Sequence, residues 1–141
     1  MELWVPQNSG SGYRWEPRLG GFRKTYPDSP NVALHHPSFR GYADYMETEP
    51  FRQALDELLA SAMTVRTAIL CSETLWWRCH RRLIADAATL LHDVSVAHLM
   101  HDGTLHEHVP TSGVRVTVEG TLRYDVLFTG DERFGVESAD A

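Results

Sequence analysis

The sequence predicts an α/β protein: a three-layer arrangement with a mostly parallel sheet, flanking helices and a C-terminal β-hairpin. Three observations carry this. An almost wholly apolar stretch, "TVRTAILC", has the composition of a strand covered on both faces. A long amphipathic helix pattern follows it, and then a second short strand pattern. Strand, helix and strand in succession make a βαβ unit with a right-handed crossover.

Taken in order, residues 1–34 read as an irregular, basic opening, because "PQNSGSG", "LGG" and "YPDSPN" are turn signals. Ser38 to Met46 reads as a short helix capped by Ser38, with Phe39, Tyr42 and Met46 on one stripe and Gly41 weakening it. "TEPFRQALDELLASA" is a stronger helix. Thr48 is its cap, Pro50 lies in its first turn, and Phe51, Leu55, Leu58 and Leu59 form its stripe. Thr64 to Cys71 is the buried strand, Leu75 to His92 the longest helix, and Val94 to Met100 the next strand. Val114 to Val118 and Thr121 to Phe128 flank "EG" and form the terminal hairpin. Residues 1–128 thus make one domain, and 129–141 an acidic, flexible tail.

A chain of 141 residues suffices for one core without disulfide staples. It has no long apolar run and no signal-like start, and its two cysteines read as free thiols, so the expected location is the cytoplasm, away from membranes. A net charge of −6 argues against coating a nucleic-acid backbone. The cations are clustered, however: Arg14, Arg18, Arg23 and Lys24 in the opening, and Arg78, Arg81 and Arg82 in the centre.

The functional reading centres on "CSETLWWRCHRR". In open α/β sheets, ligands bind beyond the carboxyl ends of the strands. Cys71 ends the apolar strand, and its loop runs to a helix start, where free N–H groups favour an anion and a thiolate. Arg78 and Arg81 are the expected anion-binding residues. Cys71, Glu73 and His80 are the candidate catalytic residues: the thiol as nucleophile or pocket floor, the carboxylate as base or hydrogen-bond anchor, and a neutral imidazole to orient or shuttle a proton. The bland alternative makes Cys71 a small buried hydrophobe closing the strand. Cys79 faces the core in a structural role. Arg82 and Asp86 read as a solvated pair. Only one of Trp76 and Trp77 can pack inward.

Other patterns fail. Arg78 is seven positions beyond Cys71, not the six of thiol phosphatases, and the loop has no glycine. No Cys-x-x-Cys pair, phosphate loop or dinucleotide motif occurs. His98, His101, His106 and His108 are dense enough to suggest a metal, but they lack a defined ligand spacing, so no metal is assigned. The sequence calls for no cofactor.

The same residues resemble the domain of unknown function 488 family. "YRWEPRLGGFRK" is similar to its Leu-Gly-Gly segment, "FRGYADYMETEPF" to its helix-joining segment, and "LCSETLWWRCHRRLIAD" to its signature, Cys-x-Glu-x5-Cys-His-Arg. "GTLHEH" and "GTLRYDV" also fit. The resemblance implies a three-layer α/β fold without a settled activity. It marks Cys71, Glu73, Cys79, His80 and Arg81 as signature residues, with Gly20, Gly21 and Tyr42 in support as ligand-binding positions. Two family features are absent: an opening strand with a Gly-His-Ser triplet followed by an Asp-Val-Arg strand, and a capping Asp-Pro where Leu75 and Trp76 stand. The expectation is therefore a member shortened at its N-terminus, with an exposed sheet edge through which it forms homodimers. The favoured function is binding of a small, phosphate-bearing anion at the Cys71–Arg81 loop, with thiol- or carboxylate-assisted hydrolysis or transfer. The alternatives are a non-catalytic module that binds nucleic acid or protein through the basic opening with Tyr13 and Trp15, and a truncated member without function.

Overall fold

A computed structural model describes residues 12–127. The expected acidic tail, 129–141, and the first eleven residues of the opening lie outside this range. Among the described residues are three α-helices, α1 (Pro37–Tyr45), α2 (Glu49–Ala62) and α3 (Arg81–His92). Four short strands follow them, β1 (Ala97–Leu99), β2 (Leu105–Glu107), β3 (Val114–Val116) and β4 (Leu122–Tyr124). The strands make two separate antiparallel hairpins, β1–β2 and β3–β4. The class is mixed α/β, but the described residues contain no parallel pair and no βαβ unit.

The main departure is the stretch from Thr64 to Cys71. It is extended, but it joins no ladder, and residues 61–70 are all exposed. Val65 and Leu70 keep 64% and 54% of their surface. Apolar composition signals a covered strand only where neighbouring strands cover it, and none of the described strands pairs with this stretch.

The first two helices follow their sequence signals closely. α1 is capped by His36, whose Nδ1 accepts the Ser38 N–H at 3.2 Å, rather than by Ser38 itself. Gly41 belongs within α1 for a packing reason. A Cβ there would meet the Lys24 carbonyl oxygen at 2.8 Å, so glycine lets the opening segment cross the helix closely. α2 starts after Thr48 with Pro50 in its first turn.

The expected helix from Leu75 is divided. Trp76–Arg78 form a 3-10 turn, Cys79 is extended, and the α-helix begins at Arg81. The division turns Arg82 and Asp86 inward. Both are buried, which corrects the expectation of a solvated pair. The Arg82 guanidinium lies 5.0 Å from the Phe39 ring, and its Nη1 donates to the Trp77 carbonyl at 3.3 Å.

The core lies between the helices and β4. Leu34, Tyr42, Phe51, Leu55, Leu83 and Tyr124 are among its most buried members. Tyr42 meets Phe51 edge-on at 5.9 Å. The irregular opening is tied onto this core. Buried Asn31 donates to Asp44 Oδ1 at 2.6 Å and accepts the Tyr124 N–H at 2.8 Å. Gly120, with φ of 83°, forms the β3–β4 turn where "EG" predicted one.

Candidate functional site

The division at Cys79 creates the site. With Cys79 extended and His80 turning into α3, the Cys79 thiol points back toward the end of the extended segment. Cys71 Sγ and Cys79 Sγ are 2.9 Å apart. His80 Nδ1 is 3.6 Å from Cys79 Sγ. The Cys71, Cys79 and His80 ligand atoms all lie within 4.8 Å of one another. Cys79 is buried and Cys71 half-buried.

The backbone is turned toward the sulfurs. Arg81 N–H, one of the unpaired donors at the start of α3, bonds to Cys79 Sγ at 3.3 Å, and Arg81 Nε adds a second bond at 3.2 Å. Glu73 N–H bonds to Cys71 Sγ at 3.3 Å. Arg81 Nη2 then donates to the Glu73 carbonyl at 2.6 Å, bracing the two ends of the turn.

Charge and burial compete here. Burial pushes the Cys79 thiol up from its ordinary pKa, against the opposing Arg81 hydrogen bonds. Burial also lowers the pKa of His80, helped by the neighbouring Arg81 charge, so the imidazole is neutral at physiological pH.

The supporting residues wrap His80. Its ring lies 5.1 Å from Tyr42, whose hydroxyl donates to the Leu19 carbonyl at 2.8 Å. Gly21 packs against His80 Nδ1 so closely that a Cβ there would stand 2.6 Å away. Gly20 ends the 3-10 turn Pro17–Leu19. Burial holds the Tyr42 phenol far above its ordinary range, so it acts as a donor.

Two predicted site residues stand apart. The Glu73 carboxylate turns away from the sulfurs and accepts the Leu75 N–H at 3.3 Å. Arg78 is exposed in the 3-10 turn, and its side chain takes no part in the bonds around the sulfurs. The basic opening is largely occupied within the fold. Arg14 and Arg18 pair with Glu16 and Glu57 at 2.7–2.9 Å, and the Arg23 guanidinium lies 3.6 Å above the Tyr45 ring. A depression of about 240 Å³ lies elsewhere, lined by residues such as Met46, Phe51, Leu55, Leu91 and Leu122.

Sequence reasoning missed a second polar cluster. Asp86, fully buried, accepts from Tyr124 Oη at 2.8 Å, from Thr111 N–H at 3.1 Å and from His108 Nε2 at 2.7 Å. A carboxylate only accepts, so His108 donates to it from Nε2, and the other ring nitrogen, Nδ1, lies 2.8 Å from His98 Nε2. His98 stacks on Trp76 with ring centroids 3.8 Å apart and planes 2° from parallel. The histidine-rich stretch therefore resolves into two satisfied buried rings, with His101 and His106 exposed.

No curated protein and no solved structure matches the chain. A family model does match, over residues 2–88, a span that holds Gly20, Gly21, Tyr42 and the whole turn from Cys71 to Arg81. No helix among the described residues is long and apolar enough to cross a membrane. The matched family is described as domain of unknown function DUF488, and with more than half of its length covered, the chain belongs to that family.

Proposed function

We propose that the Cys71–Arg81 turn is a thiol site for a small anionic, phosphate-bearing ligand. The observation that carries this reading is the position of Arg81. Its guanidinium lies against the sulfur pair, 3.2 Å from Cys79 Sγ, and is only partly occupied by the Glu73 carbonyl. A permanent positive charge beside two thiols favours a thiolate and an incoming anion alike.

In this reading Cys71, the more accessible thiol, meets the ligand as nucleophile. Cys79 is its buried partner, and neutral His80 receives the thiol proton through it. Arg81 pairs with the anion, and Arg78 adds charge at the rim. Of the two roles open to Glu73, the geometry favours the hydrogen-bond anchor, because its backbone holds both Cys71 Sγ and Arg81. Gly21 and Tyr42 pack against His80, and Gly20 ends the turn that brings Gly21 there. The engaged state of Arg14, Arg18 and Arg23 weighs against the nucleic-acid alternative.

Alkylation rates test this. Iodoacetate is an anion and iodoacetamide its neutral counterpart, and both label a free thiol by displacing iodide. At Cys71 the iodoacetate-to-iodoacetamide rate ratio is expected to exceed that of a cysteine peptide about fivefold, the effect of roughly 1 kcal/mol between close charges in water. Arg81→Gln should remove the preference, and inorganic phosphate should suppress it. Equal ratios in the peptide, the native chain and Arg81→Gln would leave the site without an anion preference and sink the reading.

A further inference from the structure

We propose that Cys71, Cys79 and His80 also bind a thiophilic divalent cation of the zinc type. The proposal deepens the reading above, on which one part of it rests: the fourth coordination position would be open to the anionic ligand beside Arg81.

Two thiolates and an imidazole are a recurrent donor set for zinc, and three protein ligands with one open position are the pattern of reactive rather than sealed sites. The geometry is close to what such a cation needs. Zn–S and Zn–N bonds of about 2.3 and 2.1 Å at tetrahedral angles put sulfur about 3.6 Å from nitrogen and about 3.8 Å from sulfur. Cys79 Sγ to His80 Nδ1 is 3.6 Å. The sulfurs, at 2.9 Å, must separate by less than an ångström. Cys71 ends an exposed, unpaired segment, so that shift breaks no ladder.

Two further observations point to a ligand. Each sulfur accepts the backbone N–H two residues further on, Glu73 for Cys71 and Arg81 for Cys79, both at 3.3 Å. Such paired bonds stabilise thiolate charge. Two adjacent thiolates repel unless a proton or a cation lies between them. In addition, His80 Nδ1 faces Gly21, where any Cβ would come within 2.6 Å. Only glycine fits beside that nitrogen, and any larger residue would push the ring out of place. Binding exchanges two thiol protons for one cation, so uptake weakens as pH falls.

The test is titration of the reduced, chelator-stripped full chain with Co²⁺, followed by Zn²⁺. One equivalent of cobalt is expected, with thiolate-to-cobalt charge transfer and the strong ligand-field absorption of a four-coordinate ion, both lost on adding zinc. Cys71→Ser should weaken uptake at least about tenfold and reduce the charge-transfer band, and His80→Ala should weaken it similarly while keeping that band. Gly21→Ala should weaken it by crowding Nδ1. Cys71 is half-buried at the end of an exposed segment, and circular dichroism checks that its variant folds. Absence of charge transfer in the native chain overturns the proposal. So does an unchanged band in Cys71→Ser, or a Cys71–Cys79 disulfide that persists under reductant and excludes cobalt. The iodoacetate preference, measured in the stripped chain, decides the anion reading independently.

Discussion

Asp86 is placed where a bare carboxylate would be costly, and three donors offset that cost. Burial pushes the Tyr124 phenol well above its ordinary pKa, so it stays protonated and donating. Tyr124→Phe is expected to cost roughly 1.5–3 kcal/mol in urea unfolding, since it removes a hydrogen bond to a charged group. Asp86→Ala should cost about 3–5 kcal/mol by disrupting the whole buried network. A loss under 1 kcal/mol in both would show that the cluster does not hold the fold. His98 adds a pH dependence. Burial, with the neighbouring His108, lowers its pKa from 6.5 to about 4. The unfolded chain therefore binds a proton between those values that the folded chain refuses. Stability should be flat above neutrality and fall as pH drops from about 6.5 to about 4, by up to about 3 kcal/mol from this group. His98→Gln should flatten that slope.

At the scale of elements, α1, α2 and the β3–β4 hairpin were legible because their signals are local. Apolar residues at helical spacing, Pro50 inside a first turn and Gly120 at a turn need no distant partner. The β1–β2 hairpin carried a local signal as well, Asp102–Gly103, with Gly103 at φ 86°, but only its first strand is expected from the sequence, with the histidines beyond it in a loop. The stretch from Thr64 to Cys71 and the start of α3 were misread because both depend on neighbours. A strand requires a ladder, and the 3-10 turn at Trp76 comes with Trp76 stacking on His98, a contact invisible in local spacing. The burial difference gives a direct comparison. Ile69→Thr, on the exposed segment, should change stability by less than about 0.5 kcal/mol. Leu83→Ala, in the fully buried part of α3, should cost about 2–5 kcal/mol. Similar losses in the two variants would mean that the segment is covered after all.

For the whole molecule, the family match and the described core divide the work. The matched span, 2–88, supplies α1, α2, the first two turns of α3 and every residue of the sulfur turn. The hairpins beyond it and the connection between them supply His98, His108, Thr111 and Tyr124, which lock α3 through Asp86 and set Trp76 in place. That Cys71, His80 and Arg81 gather at one turn was legible because they are close in sequence, whereas the approach of Cys79 to Cys71 was not. The side-chain directions were not legible, since the turning of Glu73 toward Leu75 and of Arg81 toward the sulfurs depends on the break in the helix. The central claim is that this turn sets Arg81 over a reactive thiol pair. Peptide-resolved alkylation of the chelator-stripped chain, with iodoacetate against iodoacetamide, tests it most directly. The account predicts preferential carboxymethylation of Cys71 that disappears in Arg81→Gln; a Cys71 that discriminates no more than a free cysteine, with or without Arg81, would contradict it.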